Sequence, residues 1–403
     1  MSAAHSEARS PADAVPRHRA RAHADAIATG TFGVFDYGPP LTLASWLRPV
    51  GPGQLRLVRR LVAVVAIGWL PLLILTVIEG SAWRANGGGF LSDFAVHARS
   101  LIAAALFVAA EATCAPWLTA IASQFITAGF IVGSDRAAFI RAVADTRESL
   151  RSIPAAVLIV VLAYAVTVVT FAAIGPPLNW YASDGRLSLA GWWHLQVSAP
   201  LLLALLFGWV WRVWLWGRFL WRVGRLDLRL SPAHPDRTAG LGFVSHSLRG
   251  FSLPALAMGT IVAGGVANAV QRGGSPFAHV YLIAGSLLVI LALFTAPLLV
   301  FSRKLLRTWH RGVLSYGPVA SEMGRKFEHA WVGVREEDHP SPDPSTTADL
   351  NAVVANVYAM RLVPVDLLSL LALAAAILAP LVPVLLMTVP IDKLLADIGG
   401  LMF

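Results

Sequence analysis

The chain of 403 residues is too apolar for a soluble globular protein, since 56% of its residues are hydrophobic, 14% are charged and its mean hydropathy is +0.65. So few polar side chains cannot cover a soluble globule of this size, and the composition indicates a polytopic membrane protein. The net charge of +9 does not indicate nucleic-acid binding, because the basic residues stand in short segments between apolar runs. The single cysteine, Cys114, excludes an intramolecular disulfide and a cysteine-based metal site.

The N-terminal segment, residues 1 to about 58, contains no apolar run long enough to cross a membrane. Its first 30 residues are rich in Ala, Arg, His and Pro, and no apolar h-region follows the arginines, so we predict no cleaved signal peptide. We predict a disordered cytosolic tail over residues 1–58, in preference to a folded domain.

Apolar stretches long enough to span a bilayer follow, since a span takes about 20 residues at about 1.5 Å each. The seven stretches lie at about 60–79, 100–130, 154–174, 196–217, 252–270, 278–301 and 366–389. The connections 131–152, 217–250 and 302–365 hold 4, 6 and 8 Lys and Arg, whereas 81–99, 175–195, 271–277 and 391–403 hold 2, 1, 1 and 1. By the positive-inside rule the N-terminus is cytoplasmic and the C-terminus is outside, although one span more or fewer would move the C-terminus.

The predicted fold is therefore all-α: a polytopic transmembrane helix bundle of about seven spans with short cytosolic helices. Six spans and a cytosolic loop at 217–250 fall within residues 59–301, and the last span and a C-terminal tail occupy 366–403. Segment 302–365 is predicted to form a cytosolic helical hairpin. Its first helix runs from Arg303 to Val332, and its second is capped by Thr347 and runs to about Arg361.

Three of the membrane segments have unusual features. The second stretch, Leu101 to Val132, exceeds one crossing, so its helix tilts strongly, projects into the cytosol or breaks near Pro116. Ser134 is then expected to cap a helix at the headgroup surface or against the bundle. The fourth ends in five tryptophans and a series of arginines, as expected for an aromatic belt. The fifth is rich in Gly and Ala, which predicts very close packing, although small residues could also leave room for a ligand.

Glu111 lies near the middle of the apolar run at residues 103–121, where an ionisable side chain costs at least about 2.5 kcal/mol on insertion scales. One interpretation is a proton or cation site, and the other is a carboxyl that ties two helices together through Arg212 or a hydroxyl group. For Arg212 we favour a side chain that reaches the nearby cytosolic interface unaided. Glu111 and Arg212 are the candidates for transport or coupling.

The loop HPDRTAGLGF, residues 234–243, is the strongest motif-like run. Asp236 can accept hydrogen bonds from the following backbone amides, and the glycines permit positive φ or a close backbone approach. His234, Asp236 and His246 could form an acid–base or metal set, but we favour a structural turn. The loop candidates are His234, Asp236, Arg237, Gly240, Gly242 and His246.

Arg225 to Leu230 read R-L-D-L-x-L, His234 to Phe243 read HPDR-x-x-GLGF, and residues 360–395 contain MRLVPVDLLSLLALA and MTVPIDKLL. In these segments the chain resembles uncharacterised bacterial multi-spanning inner-membrane proteins. The resemblance implies a multi-helix fold in a bacterial inner membrane and carries no activity or catalytic residue. The excess of 29 Arg over 3 Lys is also typical of GC-rich bacterial genomes.

Motifs of common enzymes are missing from the sequence, which has no GxxxxGK[ST], HExxH, GxSxG or CxxC. Residues 336–339 (EEDH) could hold a hard cation, but a solvated acidic loop is the favoured interpretation. We therefore predict no catalytic residue, no metal and no cofactor, and the chain is more consistent with a protein that is not an enzyme.

Three hypotheses for function remain. The first is a channel or transporter with an intramembrane acidic site. The second is a sensor or assembly subunit that binds an unknown protein partner through residues 302–365. The third is a membrane-embedded enzyme with a His/Asp site at the inner face. The predicted partners are the lipid bilayer and a second copy of the chain, since an odd number of spans without an internal repeat leaves an oligomeric pore open; nucleic acid is not predicted.

Overall fold

The computed structural model describes residues 53–84, 88–174, 180–183, 186–331 and 344–387. Most of the predicted N-terminal tail, the acidic run 336–339 and the C-terminal tail from residue 388 lie outside the described residues. The first described helix begins at Gly53. Residues 53–58, which were predicted to belong to the disordered tail, are therefore helical.

The first half of the described chain contains α1 (Gly53–Gly68), α2 (Leu70–Ile78), α3 (Phe94–His97), α4 (Ala104–Thr127), α5 (Asp135–Leu150) and α6 (Ile153–Ile174). A π-helical segment, Ala98–Ala103, joins α3 to α4. A short antiparallel ribbon follows, in which β1 (Ala182–Ser183) pairs with β2 (Arg186–Leu187).

The second half contains α7 (Leu189–Trp193), α8 (Ala199–Arg225), α9 (Ser247–Gly250), α10 (Ser252–Gln271), α11 (Val280–Thr295), α12 (Ser302–Trp331), α13 (Pro344–Tyr358), α14 (Leu367–Leu378) and α15 (Leu381–Leu386). The π-helical segment His194–Ser198 joins α7 to α8, and the 3-10 segment Ala296–Phe301 joins α11 to α12.

Among the described residues, six helical segments are long and apolar enough to cross a membrane. They are Leu57–Ile78, Phe94–Thr127, Ile153–Ala173, Leu189–Arg225, Ser252–Gln271 and Phe277–Arg325. The stretch predicted as a seventh span is instead divided into α14 and α15, because Pro380 lacks the N–H that would continue the helix. With 12 residues, α14 is shorter than the roughly 20 that a span needs, so the described residues support six of the seven predicted spans.

The second and fourth spans are much longer than the membrane requires. Their helices hold 34 and 37 residues, and at about 1.5 Å per residue each exceeds 50 Å, against about 30 Å of hydrocarbon. Pro116 lies inside α4 without ending it, so a break near Pro116, one of the three alternatives for this stretch, does not occur. The lengths favour projection beyond the membrane.

Helix α5 packs against the C-terminal part of α8. The aromatic ring of Phe139 in α5 packs 5.7 Å from that of Phe219 in α8, and Asp145 of α5 accepts a 2.5 Å hydrogen bond from Arg222 of α8. Ser134 stands at the start of α5 as predicted, but its side chain makes no capping hydrogen bond. We call the end of the bundle that carries residues 131–152, 217–250, 302–331 and 344–365 the basic face.

The core of the bundle is built around α4, which packs against both α8 and α10. Trp209 and Trp216 of α8 are buried within it, whereas Trp214 and Trp221 are exposed. The predicted aromatic belt is therefore only partly correct, because two of its tryptophans fill the core instead of the membrane surface. The fifth span, α10, has the largest buried share of the six candidate spans, 61%, which supports close packing as the reason for its small residues.

The predicted hairpin of residues 302–365 consists of α12 and α13, which pack against each other. Its second helix begins at Pro344 and not at a Thr347 cap, in keeping with the preference of proline for the first turn. Near its base, Lys304 of α12 donates to the carbonyl oxygen of Leu226. A Cβ on Gly312 of α12 would lie 2.6 Å from Pro232, so the hairpin also contacts the 217–250 loop closely.

Candidate functional site

Glu111 of α4 lies between two arginines from other spans. Its Oε1 accepts a hydrogen bond from Nη2 of Arg212 in α8, and its Oε2 accepts one from Nη2 of Arg60 in α1. The exposed fractions of the three side chains are 12% for Glu111, 17% for Arg60 and 5% for Arg212. We call these three residues the charge cluster, which joins the first, second and fourth spans and carries one more positive than negative charge.

Arg212 also contacts an aromatic ring of its own helix. Its guanidinium carbon lies 5.1 Å from the centroid of the Trp209 ring, within the range of a cation–π contact. Trp209 in turn donates through Nε1 to the carbonyl oxygen of Phe107 at 2.9 Å. The sequence favoured an Arg212 side chain that reaches the interface unaided; the structure instead buries it against Glu111, as the pairing alternative required.

Arg60 locates the charge cluster relative to the membrane. It is the fourth residue of the candidate span Leu57–Ile78, so the cluster lies about one helical turn inside the basic-face end of the first span. Glu111 stands in the middle of its own long helix, which must then continue well past the first span on the basic face. Glu111 therefore lies at the level of the first turn of the first candidate span.

Arg60 was not predicted from the sequence, although a signal for it is present. Arg59 and Arg60 are adjacent and stand at the start of the first apolar stretch, which was placed at about 60–79. Only Arg60 lies four residues before the buried Val64, and residues four apart share a face of a helix. This spacing directs Arg60 into the bundle, whereas Arg59 is exposed.

The HPDRTAGLGF loop is organised around the carboxylate of Asp236. Its Oδ1 accepts hydrogen bonds from the backbone N–H groups of Thr238 at 2.8 Å and Gly240 at 3.0 Å, and its Oδ2 accepts from that of Gly242 at 2.8 Å. Partial burial acts to raise the pKa of Asp236, but these hydrogen bonds favour the charged form more strongly and lower the pKa below its ordinary value. The carboxylate is thus used to hold the loop.

The loop has a strained backbone that the surrounding contacts hold in place. Arg237 and Ala239 both have φ of +56°, and Gly240 has φ of +94°. A Cβ on Gly240 would lie 2.7 Å from the ring of Phe130, so glycine is required there for space as well as for conformation. The backbone oxygen of exposed Arg237 accepts a 2.6 Å hydrogen bond from the N–H of Arg361, which connects the loop to the chain after α13.

The proposed His/Asp set is only partly assembled. Nδ1 of His234 lies 2.9 Å from Oδ1 of Asp236. His246 ends the 3-10 segment Gly242–His246 before α9, and its backbone oxygen accepts a 2.7 Å hydrogen bond from Nε1 of Trp117. Within the described ranges, no group of three or more His, Cys, Asp and Glu side chains could hold a metal ion. The geometry matches the structural turn that the sequence favoured.

A second buried polar cluster lies at the opposite end of the bundle. Asp93 accepts hydrogen bonds through Oδ1 from Nδ2 of Asn268 at 2.7 Å and the N–H of Val96 at 3.1 Å, and through Oδ2 from Nε1 of Trp180 at 3.1 Å. Oδ1 of Asn268 accepts from the N–H of Ala95 at 3.2 Å. These bonds brace the second span against the fifth. The pair of Asp93 and Asn268 was not predicted from the sequence, because neither residue belongs to a recognisable motif.

Comparison of the chain with protein-family models, with curated proteins and with solved structures gives no match.

Proposed function

We propose that the protein transports an anionic solute across the membrane and that the charge cluster is the point at which the solute interacts with the bundle. The observation that carries the proposal is the placement of Arg60, Glu111 and Arg212, which come from three different spans and meet at one carboxylate. Charged side chains within spans are costly and are found mainly where ions or substrates pass.

The net positive charge of the charge cluster indicates that the bound solute is an anion and not a cation. A carboxylate that already accepts from two guanidinium groups is a poor ligand for a cation, which both arginines would repel. An anion would instead compete with Glu111 for the arginines. The acidic site expected from the sequence is therefore better described as an ion-paired gate. An arriving anion displaces the Glu111 carboxylate from the arginines and so loosens the contact between the spans.

Interruptions in the helices that flank the cluster are consistent with such movement. The second and fourth spans contain the π-helical segments Ala98–Ala103 and His194–Ser198, and π-helical turns are frequent at functional sites. The sixth contains the 3-10 segment Ala296–Phe301. We also propose that the basic face is the cytoplasmic face of a bacterial inner membrane, on the basis of the alternating basic connections and the family resemblance.

The test is anion flux into liposomes that contain the purified full-length protein. Chloride and inorganic phosphate serve as probes, an electrical readout detects net charge movement and a pH dye detects protons. We expect anion flux in the wild type, a loss of at least about tenfold in Arg212→Gln, and a changed rate in Glu111→Gln.

Two control variants separate the cluster from general effects. Arg218→Gln removes the same charge from the same helix, but Arg218 contacts the ring of Trp214 and not Glu111. His234→Ala changes the basic-face loop alone. Both are expected to retain flux. A correctly folded wild type that moves neither probe would rule out the proposal for these anions, and equal losses in Arg212→Gln and Arg218→Gln would assign the effect to overall charge.

A second candidate function is that of an assembly subunit that binds a protein through α12 and α13. It is favoured by the exposed apolar side chains of α12 on the basic face, among them Leu314, which is 78% exposed. Leu314→Glu should then release a partner that cross-links to the wild type in intact membranes, while leaving anion flux unchanged. Loss of flux in the same variant would favour a role of α12 within the transport protein itself.

A further inference from the structure

We propose that a cavity between α5 and the start of α6 binds the headgroup of an anionic phospholipid. The cavity has a volume of about 850 Å³. On the α5 side it is lined by Ile140, Val143, Ala144 and Arg147, and the turn into α6 contributes Arg151 to Pro154. It is separate from the charge cluster, and the proposal does not depend on the transport function.

The lining has the chemistry of a phosphate site with an apolar floor. Arg147 and Arg151 supply guanidinium groups, which pair with phosphate oxygens through charge-assisted hydrogen bonds, and Ser149 and Ser152 supply hydroxyl groups. Glu148 also lines the cavity, so two positive charges face one negative charge. The excess positive charge favours a phosphodiester without a compensating cation over a zwitterionic headgroup.

The position of the cavity points to a lipid as the source of that phosphate. Ile153 is both a lining residue and the first residue of the candidate span Ile153–Ala173, so the cavity opens at the level where the apolar part of α6 begins. The exposed apolar side chains of Ile153, Val157, Leu158 and Val161 continue from it along α6. A lipid bound through its phosphate can lay its acyl chains on this surface, which a soluble phosphate compound would not use.

The cavity also lies on the basic face, where a site for an anionic lipid is expected. The cavity belongs to residues 131–152 and the adjoining turn, one of the connections of the basic face. Clusters of arginine beside a membrane span attract anionic lipids at about 1 kcal/mol for each residue near the surface. The cavity adds a defined pocket to this general attraction, so the preference should depend on particular residues and not on net charge alone.

The experiment measures lipid binding to the purified full-length protein by native mass spectrometry from detergent. Phosphatidylglycerol is compared with phosphatidylcholine of the same acyl chains, and inorganic phosphate is the soluble probe. We expect phosphatidylglycerol to bind in clear preference to phosphatidylcholine. Arg151→Gln should weaken its binding about fivefold, which is the change expected for one arginine near the surface.

Two further variants make the result specific. Arg141→Gln removes an exposed arginine from the same helix outside the cavity lining and should leave binding unchanged. Ala144→Trp fills the cavity from an exposed position without a change of charge and should weaken phosphatidylglycerol as strongly as Arg151→Gln. Equal binding of both lipids, equal losses in Arg141→Gln and Arg151→Gln, or displacement of the lipid by inorganic phosphate at similar concentration would each overturn the proposal.

Discussion

Gly259 of α10 lies directly against the carbonyl oxygen of Ile377 in α14, such that a Cβ added to Gly259 would stand 2.1 Å from that oxygen. The neighbouring atom is backbone, so it cannot move aside as the end of a flexible side chain could. This contact explains how α14, too short to count as a span, is held in the bundle. Its backbone packs on the span with the largest buried share.

Gly259→Ala is therefore expected to destabilise the protein by about 1–3 kcal/mol, because the methyl group forces α10 and α14 apart. Thermal unfolding in detergent, followed by circular dichroism, measures the effect. Gly265→Ala is the matched control in the same helix, since a Cβ there meets nothing within 4 Å. An unfolding temperature for Gly259→Ala as high as that of Gly265→Ala would contradict the close packing of these helices.

Glu111→Gln should destabilise the bundle more than Arg60→Gln does. Loss of the Glu111 charge removes the carboxylate that both largely buried arginines share, whereas loss of the Arg60 charge leaves the pair of Glu111 and Arg212 intact. Breaking a buried ion pair by removing one partner typically costs about 3–5 kcal/mol, and the partial exposure of this cluster places the cost at the lower end. Chemical unfolding of the three proteins in the same detergent gives the order.

The double variant Arg60→Gln with Glu111→Gln supplies the control for that comparison. It removes one of the repelling cations, so it should be more stable than Glu111→Gln alone, and the interaction energy from the double-mutant cycle should be favourable to the pair. Additive effects of the two changes would show that Arg60 and Glu111 do not interact in solution.

The sequence was sufficient for the helical fold and for the positions of six of the candidate spans, because long apolar runs can satisfy the backbone in a membrane only as helices. It was also sufficient to single out Glu111, since one carboxyl group in a long apolar stretch is conspicuous. It did not determine what Glu111 contacts. Arg60 and Arg212 are far from it in the chain, and only the packing of the spans brings them together.

The other differences between the predicted and the observed structure also arise from how the helices pack. Trp209 and Trp216 match an aromatic belt by composition, but burial depends on which face of α8 meets α4, and a list of residue types does not contain that information. The division between α14 and α15 was predictable in part, because Pro380 stands within the apolar stretch. The depth of Glu111 was not, since a helix that projects beyond the membrane has the same local sequence pattern as one that ends at its surface.

The Asp236 carboxylate makes the stability of the loop dependent on pH. Its pKa is lowered in the folded protein from an ordinary value of 3.8. A group with a lowered folded pKa contributes stability that is fully present above its unfolded pKa and is lost as the pH falls through the folded pKa. Asp236→Asn should therefore be less stable than wild type at pH 6, and the difference should narrow as the pH falls below 3.8.

Unfolding temperatures at pH 6 and at several values below pH 4 test this expectation. Glu328→Gln is the control, because Glu328 is exposed on α12 and removal of its charge should not reproduce the trend. A difference between wild type and Asp236→Asn that stays constant across this range would mean that the charge of Asp236 does not hold the loop.

The pairing of Asp93 with Asn268 predicts that donor and acceptor identity matter more than shape at this position. Asn268→Asp is nearly isosteric, yet it replaces the Nδ2 donor, 2.7 Å from Oδ1 of Asp93, by a second acceptor, and it places two carboxylates side by side in a buried site. Loss of one buried hydrogen bond costs about 1–3 kcal/mol, so Asn268→Asp should lower the unfolding temperature at neutral pH at least as much as Asn268→Ala does.

The exchange of the two residues, Asp93→Asn with Asn268→Asp, restores one carboxylate and one amide donor and should recover part of the loss, although Trp180 must then donate to the amide. If the exchange is no more stable than Asn268→Asp, the bond between the two side chains is not what braces the second span against the fifth.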